Sequence, residues 1–269
     1  MPTITSRQNP LVSRYRDAAR RRTRQLLLLD GEHLIADALR AGVAVRHAAV
    51  TAAARERRAI ADLVAALERA RVEVATVSAA VMDAISPVRS ATGIVAMAEQ
   101  PGTAPSRPFV GAAPLAIVAV DVQDPGNVGA IVRVAEAAGA TGVVAAGASA
   151  DPFGWKALRG SMGSALRLPL VGDRAVEDAI EDARRHGCRI LAAAPRGGRP
   201  LHEVDFTGPL AILIGNEGAG LSSAIVDAAN ERIAVPMKPP VESLNAAVTA
   251  AVIVYEARRQ RANHGPAVS

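Results

Sequence analysis

Aromatic residues are scarce in this sequence. Phe, Trp and Tyr together make up 2% of the 269 residues, although hydrophobic residues make up 50%. A core with so few large rings must be built mainly from Ala, Val, Leu and Ile, which suits helices packed on a parallel sheet. The length favours a small domain plus a larger one, with a single large α/β domain as the alternative.

Cysteine and long apolar runs are also nearly absent. Cys188 is the single cysteine, which excludes an intramolecular disulfide and favours a reducing compartment. No apolar run reaches the roughly 20 residues that a membrane helix needs, and the N-terminus is polar rather than signal-like. We therefore predict a soluble, cytoplasmic protein with no membrane partner.

Several catalytic signatures are missing as well. The five histidines have no metal-ligand spacing with each other or with Cys188, so no metal site is predicted. There is no G-x-S-x-G nucleophile elbow, no G-x-G-x-x-G dinucleotide fingerprint and no P-loop lysine. Acyl-enzyme hydrolysis and nucleotide-dependent redox chemistry are therefore unsupported.

Lysine is the scarce cation, with only Lys156 and Lys238, so arginine carries most of the positive charge. The net charge of +5 is modest for this length. However, positions 7 to 24 hold one acid, Asp17, and seven arginines: Arg7, Arg14, Arg16, Arg20, Arg21, Arg22 and Arg24. Such a positive field suits an RNA phosphate backbone, and the alternative is a solvated helix face.

Residues 1–99 alternate helix and strand signals and predict a small α/β domain. An apolar LLLLDG run precedes the helical pattern EHLIADALRAG, which ends at Gly42, and the strand-like VAVRHAAV. The amphipathic stretch ERRAIADLVAALERA and the short strand VEVATV follow. Residues 100–113 are rich in Pro and Gly, where neither a helix nor a central strand persists, and predict a linker.

Residues 114–269 predict a second, larger domain. Strand patterns occur at LAIVAV (115–120), GVVAAG (142–147), RILAAA (189–194), LAILIG (210–215) and RIAVPM (232–237). Helical patterns separate most of them, and a helix of about twenty residues closes the chain. This alternation predicts a parallel sheet covered on both faces, with ligands at the loops that follow the carboxyl ends of the strands.

Polar residues gather in three of these loops. After the first strand, residues 124–127 form a turn, and Arg133 lies on the next helix, from which we expect its side chain to reach a pocket at the sheet edge. An ordinary strand-turn-helix connection, with Asn127 as the N-cap, is the alternative. After LAILIG, glycines at 215, 218 and 220 allow a ligand to approach the backbone closely, and Glu217 lies among them.

The third loop, ESLNAAV at 242–248, follows the last strand. Ser243 is predicted to cap the final helix, and the turn at Leu244 and Asn245 presents polar groups to the sheet edge. From Leu244 onward, apolar residues recur at helical spacing and predict a packing surface: Val248, Val252 and Tyr255.

Together the three loops resemble the three signature motifs of the SpoU, or TrmH, family of RNA ribose methyltransferases in the SPOUT superfamily. The matching segments are DPGNVGAIVR, LIGNEGAGL, and VPM followed by ESLNAAV, in the family's order and at fitting separations. The N-terminal stretch from SRQNPLVSRYRDAARRR to DGEHLIADALRAG looks like the family's RNA-binding extension.

This resemblance implies a deep trefoil knot in the C-terminal domain, S-adenosylmethionine as the cofactor and an obligatory homodimer. Knots are rare exceptions to the usual connection rules, so residue patterns alone do not reveal one. The implied reaction is methyl transfer to a ribose 2′-hydroxyl of structured RNA, with rRNA, in particular 23S rRNA, favoured over tRNA. The alternatives are a tRNA ribose methyltransferase and a knotted RNA-binding protein without catalysis.

The resemblance also assigns the site residues. The implied catalytic set is Asn127, Arg133, Glu217, Ser243 and Asn245. The implied cofactor-binding set is Leu213, Gly215, Asn216, Gly218, Val235, Met237, Ser243, Leu244 and Asn245. Candidate RNA ligands are Arg7, Arg14, Arg20, Arg21, Arg22, Arg24 and, within WKALRGSMGS, Arg159.

The role of Arg133 stays open at this point. The family's matching arginine is proposed as the general base, but a guanidinium resists deprotonation. Arg133 could instead hold the neighbouring phosphate and stabilise the developing alkoxide.

Overall fold

A computed structural model describes residues 3–88 and 91–264. The chain divides into two compact units. The first comprises the residues up to Gly102 together with Phe153–Arg167, and the second comprises Thr103–Pro152 together with the residues from Leu168 onward.

The first unit is built on a mixed four-stranded sheet. Its elements up to residue 99 are α1 (Pro10–Ala19), β1 (Leu26–Asp30), α2 (Glu32–Arg40), β2 (Val45–Thr51), α3 (Ala52–Arg55), α4 (Arg58–Arg69), β3 (Glu73–Val77), α5 (Ala79–Ile85) and β4 (Ile94–Glu99). The sheet order is β1-β4-β2-β3, with β4 antiparallel to both of its neighbours and β2 parallel to β3. The predicted helices α2 and α4 and strands β2 and β3 are confirmed, and the apolar LLLLDG run forms β1. No prediction was made for α1, α3, α5 and the inner strand β4.

The second unit is built on a parallel seven-stranded sheet. The remaining elements along the chain are β5 (Leu115–Val120), α6 (Pro125–Ala138), β6 (Gly142–Ala146), α7 (Trp155–Ser161), β7 (Leu170–Arg174), α8 (Val176–Arg185), β8 (Arg189–Ala193), β9 (Arg199–Pro200), β10 (Leu210–Ile214), α9 (Ser223–Ala228), β11 (Glu231–Ala234) and α10 (Ala246–His264). The order of the strands is β7-β6-β5-β10-β8-β11-β9, and every pairing is parallel. The predicted α/β class with a parallel sheet is therefore confirmed.

The segment Phe153–Arg167 groups with the first unit, although the sequence assigned it to the domain at 114–269. Its helix α7 packs against β1. Phe153, Ala157 and Leu158 are buried, and their burial keeps the segment with the first unit's core. Sequence patterning could not show this because the segment lies between two strands of the other sheet.

The predicted linker also has a packing role. It contains no α-helix or strand between residues 100 and 113, but a 3-10 turn at Arg107–Phe109 brings Phe109 into the core of the second unit. There Phe109 is 1% exposed among Val118 and Val144 of the sheet. A bulky ring in an otherwise aliphatic core anchors this end of the linker.

Helix α10 packs through a different face from the predicted one. Its buried residues are Ala246, Ala247, Ala250, Ile253, Val254 and Ala257, and the helix lies against α6. Val248, Val252 and Tyr255, the predicted packing stripe, are 48%, 38% and 49% exposed. Four of these six buried residues are alanines, which permit close approach of two helices, whereas the stripe of larger residues stays outside.

The strand order explains how distant loops meet. Strands β5, β10, β8 and β11 are consecutive neighbours in the sheet and run in parallel. Their carboxyl ends therefore lie at one edge, which carries the loops that follow residues 120, 214, 193 and 234.

Candidate functional site

Two amide side chains from distant parts of the chain converge on one carboxylate oxygen. Glu217 Oε1 accepts hydrogen bonds from Asn127 Nδ2 and from Asn245 Nδ2, the latter at 2.5 Å. Asn245 Nδ2 also lies 3.1 Å from Asn127 Oδ1, and the Ala246 amide lies 3.4 Å from Glu217 Oε1. We call Asn127, Glu217 and Asn245 the polar cluster.

Asn127 is available to the cluster because another residue caps its helix. Asp124 is the N-cap of α6, and its Oδ1 accepts from the Asn127 backbone amide at 2.9 Å. Pro125 occupies the first turn, where a missing N–H carries no penalty. The interpretation of Asn127 as an N-cap is therefore wrong, and its side-chain amide is directed to Glu217 instead.

Asn245 connects the cluster to α10. Its Oδ1 accepts from the amides of Ala247 at 2.9 Å and Val248 at 3.2 Å, which are N-capping hydrogen bonds. Its Nδ2 is then left to donate to Glu217. The prediction that Ser243 caps this helix is wrong, because Asn245 directly precedes the first helical residue.

The loop after β10 is closed by its own asparagine. Asn216 Oδ1 accepts from the Gly218 amide at 2.8 Å, and its Nδ2 donates to the Asp121 carbonyl at 2.9 Å. A Cβ on Gly215 would lie 2.6 Å from the Gly220 carbonyl carbon, and Gly220 has φ +66°. These glycines are therefore required for the loop to turn back on itself beside Glu217.

A cavity of about 490 Å³ opens beside the cluster. The predicted ligand residues that line it are Gly215, Asn216, Gly218, Val235, Met237, Ser243 and Leu244, and Glu217 lines it as well. Two predicted ligands lie elsewhere. Leu213 is a fully buried member of the sheet's core, and Asn245 contacts Glu217 outside the lining.

Sequence reasoning missed one wall of this cavity. Ala193, Ala194, Pro195 and Arg196 line it from the carboxyl end of β8. Arg196 Nη2 lies 2.7 Å from Oε1 of Glu242, another lining residue, and both side chains are more than 70% exposed. The available signal was the PRGGR stretch directly after a predicted strand, but only the sheet order shows that β8 lies between β10 and β11.

Arg133 is not brought to the cavity, contrary to the expected reach of its side chain. It is exposed on α6, does not line the cavity, and makes no hydrogen bond or ion pair with any residue that the structure describes. A helix carries residues six positions apart to different faces, which separates Arg133 from Asn127.

The arginines near the N-terminus fall into two groups. Arg21 is partly buried and donates to the Leu26 carbonyl at 2.7 Å and to Gln100 Oε1, so it ties the segment after α1 to one end of the β1/β4 pair. Arg7 donates to the Ala80 carbonyl at 3.0 Å, and Arg22 lies 3.3 Å from Asp17. Arg14 and Arg20 are exposed, and their side chains have no partner among the residues described.

The remaining predicted RNA ligands are Arg24 and Arg159. Both are exposed, and Arg24 has an interaction partner within the protein. Arg159 lies on α7 in the first unit, where its charge opposes the effect of burial, which raises the pKa of Asp30. No group of three His, Cys, Asp or Glu side chains in residues 3–88 and 91–264 could hold a metal ion, and no helix there is long and apolar enough to cross a membrane.

Two family profiles match the chain. The profile described as SpoU rRNA Methylase family matches residues 114–255, and the profile described as Thiostrepton-resistance methylase, N terminus, matches residues 1–109. The first match spans more than half of the sequence and contains every residue of the polar cluster.

Similar proteins are found along the whole chain. An uncharacterized tRNA/rRNA methyltransferase of Synechocystis is 35% identical over 262 residues, which are 96% of this chain and 94% of that protein. The 23S rRNA (guanosine(2553)-2′-O)-methyltransferase RlmP of Bacillus subtilis is 37% identical over 51% of this chain and 55% of its own length. The 23S rRNA (uridine(2479)-2′-O)-methyltransferase of Streptomyces viridochromogenes is 42% identical over 51% of this chain and 50% of its own length. The alignments thus span only about half the length of these two enzymes.

Two solved structures resemble the fold over nearly its full length. The SpoU methyltransferase AviRb from Streptomyces viridochromogenes, in complex with the cofactor AdoMet, has a TM-score of 0.84 and 30% identity, covering 94% of this chain and 98% of that one. The AdoMet-bound rRNA methyltransferase from Sinorhizobium meliloti has a TM-score of 0.84 and 27% identity, covering 96% and 97%.

Proposed function

Because the chain belongs to the SpoU rRNA methylase family, we propose that it transfers a methyl group from S-adenosylmethionine to a ribose 2′-hydroxyl of RNA, with 23S rRNA as the substrate. The observation that carries the proposal is the polar cluster, which assembles three motif side chains beside a cavity of cofactor size. The names of the two 2′-O-methyltransferases and of the two AdoMet-bound structures support it. An rRNA substrate supports a location in the cytoplasm.

The cavity fits S-adenosylmethionine. Its volume of about 490 Å³ lies in the range of small-molecule sites, and its walls combine apolar side chains such as Val235, Met237 and Leu244 with the backbone of the glycine loop. These loops would hold the cofactor through backbone groups and apolar contacts. When bound, it supplies a methyl group that is already activated by a sulfonium charge.

The remaining task for the protein is alignment and charge stabilisation. Methyl transfer forms an oxygen–carbon bond at the ribose, breaks the sulfur–carbon bond and releases the hydroxyl proton. The polar cluster fixes two amide side chains through one carboxylate before substrate arrives. The entropy of orienting these side chains is therefore lost when the protein folds and not when the substrate binds. We assign Asn127 and Asn245 to substrate positioning, Glu217 to holding them, and Ser243 to shaping the cavity beside them.

Arg133 is assigned to the RNA and not to the resting cluster. Its exposed guanidinium has no partner in the described parts of the chain, so a phosphate can occupy its forked donors without breaking an existing pair. A guanidinium stays charged at neutral pH, which suits it to hold the flanking phosphate and to stabilise the developing alkoxide. Arg14 and Arg20 in the first unit are available to RNA in the same way.

We also propose the trefoil knot and the homodimer. Strand β11 lies on one side of β10 in the sheet, and β5 lies on the other side. The segment that follows β11 ends in α10, which packs against α6, the helix that follows β5. This path supports a chain end that passes through a loop. The dimer is supported by Val248, Val252 and Tyr255, an exposed apolar stripe at i, i+4 and i+7 of α10 that a second copy would cover.

Sedimentation tests the dimer directly. The wild type should sediment near twice its chain mass of 27.7 kDa, and Val252→Glu should shift it toward the monomer. Val110→Glu is the matched control, because Val110 is 41% exposed outside this stripe. A wild-type monomer at micromolar concentration would reject the dimer.

A knotted RNA-binding protein without catalysis is the rival from another functional class. An intact cluster disfavours it, since a protein that only grips RNA has no use for Asn127, Glu217 and Asn245 held together. Purified protein incubated with labelled S-adenosylmethionine and bacterial RNA separates the two. We expect label in rRNA and little in tRNA; label in tRNA alone would replace the rRNA assignment, and binding without label would favour the rival.

A further inference from the structure

One face of α7 is left without a role by the proposed methyl transfer. Helical spacing places Trp155 and Arg159 one turn apart at i and i+4, with Lys156 beside Trp155 and Met162 directly after the last helical residue, while Ala157, Leu158 and Ser161 are buried. We call these four outward residues the α7 face. Arg159 and Lys156 are exposed, and Met162 is 57% exposed.

The α7 face holds side chains that are unusual for a solvated helix. Trp155 is the sole tryptophan of the chain, yet it remains partly exposed and does not enter the core. Lys156 Nζ lies 5.6 Å from the centre of the indole ring, so a cation rests on that ring. Single exposed apolar residues are common on protein surfaces, so the distinguishing feature of Trp155 is the pair of cations, Lys156 and Arg159, that lie close to it along α7.

The backbone at Met162 is held in an unfavourable conformation. Met162 has φ +50°, a left-handed value that residues with a side chain rarely adopt. Gly163 follows at φ +83°, and a Cβ there would lie 2.3 Å from Asp37 Oδ2 and 2.9 Å from Arg167 Nη1. Gly163 therefore has no room for a side chain, and Met162, which ends α7, is left exposed.

The charge of this segment selects among possible occupants. Residues 153–167 carry Lys156, Arg159 and Arg167 and no acidic residue. Aromatic rings stack on nucleobases whatever their sequence, and neighbouring cations bind the phosphates on either side. A second copy of the chain would bring the same positive charges against each other.

We propose that the α7 face is a binding site for an unstacked nucleobase of the RNA substrate, with Trp155 and Met162 contacting the base and Lys156 and Arg159 binding the adjoining phosphates. The site rests on the proposed function for its ligand, but it lies on a different helix from the polar cluster. Double-stranded RNA has no free base face to offer, so the site selects single-stranded or bulged RNA.

The tryptophan fluorescence of the protein reports on Trp155 alone, because the chain contains no other tryptophan. Full-length protein is titrated with a short unstructured oligoribonucleotide, with the same length of duplex RNA and with inorganic polyphosphate of matched charge. We expect strong quenching with the single strand and little with the other two. Equal quenching by polyphosphate, or none with the single strand, would overturn the proposal.

Variants identify the contact. Trp155→Ala should weaken single-strand binding about tenfold, Trp155→Phe should retain most of it, and both should bind S-adenosylmethionine like the wild type by calorimetry. Unchanged RNA affinity of Trp155→Ala would reject the site. So would quenching that rises with protein concentration in the absence of RNA, because that would identify a second copy as the occupant.

Failure here is distinguishable from failure of the proposed function. Wild-type protein that methylates RNA while Trp155→Ala binds and methylates equally well overturns only the α7 site. Wild-type protein that binds single strands through Trp155 but transfers no methyl group overturns only the methyltransferase assignment.

Discussion

The polar side chains of the cluster and the arginines at helix α1 differ in how far they are organised within the protein. In the cluster, Asn127, Glu217 and Asn245 are already hydrogen-bonded to one another. At α1, Arg14 and Arg20 are exposed, and their side chains make no hydrogen bond or ion pair with the residues that the structure describes. The difference separates side chains that are organised before the ligand arrives from side chains that the ligand organises. Arg133 belongs with the second group although it comes from the same sequence motif as Asn127.

Loss of Glu217 should have the largest effect. Glu217→Ala leaves the amides of Asn127 and Asn245 without their shared acceptor, and we expect single-turnover methylation to fall about 10³-fold. Asn127→Ala removes only one contact of the cluster and should reduce the rate of single-turnover methylation less than Glu217→Ala does. Methylation of labelled rRNA by excess enzyme measures both. Near-normal turnover of Glu217→Ala would show that the cluster stabilises the loops and has no part in the reaction.

Arg133 variants test the second group, whose side chains become organised only when the ligand binds. Arg133→Lys keeps the charge but loses the planar fork, so we expect both Arg133→Lys and Arg133→Ala to lose at least roughly 10²-fold in single-turnover methylation. Cofactor affinity should be unchanged, because Arg133 does not line the cavity. A lysine variant with near-normal activity would reduce the role to simple charge, and an equally active alanine variant would remove Arg133 from the mechanism.

The arginines near α1 give a matched pair of variants. Arg14→Ala with Arg20→Ala should weaken RNA binding about tenfold and reduce the salt slope by about one per phosphate contact, with stability unchanged. Arg21→Ala should instead lower the free energy of unfolding by about 1–3 kcal/mol, because it breaks the bonds to Leu26 and Gln100. An unchanged salt slope in the double variant would leave these arginines as a solvated face.

The smallest predicted effect concerns a buried pair in the first unit. His47 Nδ1 lies 2.8 Å from the Tyr15 hydroxyl. Burial lowers the pKa of His47, against an opposing effect of Glu73, and Arg14 lowers it further. The unfolded chain therefore takes up the proton first, so this contribution to stability is complete above about pH 6.5 and is lost as the pH falls below it.

His47→Gln should remove that part of the pH dependence. Unfolding in urea at pH 7.5 and 5.5, followed through Trp155 of the same unit, should show a larger loss for the wild type than for the variant. Equal losses would mean that His47 is protonated as readily in the folded state as in the unfolded one.

Much of the fold and part of the site follow from the sequence. Strands such as LAIVAV and LAILIG are continuous apolar runs between turn residues, and a parallel sheet then brings their loops to one edge. Glu217 was found because glycines surround it. The wall formed by residues 193–196 was missed because strand order, and not local pattern, places β8 between β10 and β11.

Alanine accounts for another failure. Val248, Val252 and Tyr255 are conspicuous apolar residues of α10, and the prediction took them as a packing surface that lies partly inside the domain and partly in a dimer interface. The packing face consists largely of Ala246, Ala250 and Ala257, which do not stand out in an alanine-rich chain. Hydrophobicity scales favour large apolar residues as candidates for the core. Close packing of α10 against α6 instead favours small residues, and most of the buried residues of α10 are alanines.

The position of the transferred methyl group tests the central claim most directly. A methyl group on the 2′-oxygen blocks alkaline cleavage of the neighbouring phosphodiester, because that hydroxyl is the internal nucleophile. After incubation of 23S rRNA with labelled S-adenosylmethionine and complete alkaline hydrolysis, the account predicts label in alkali-resistant dinucleotides and its loss with Glu217→Ala. Label recovered in mononucleotides would identify base methylation and contradict the account.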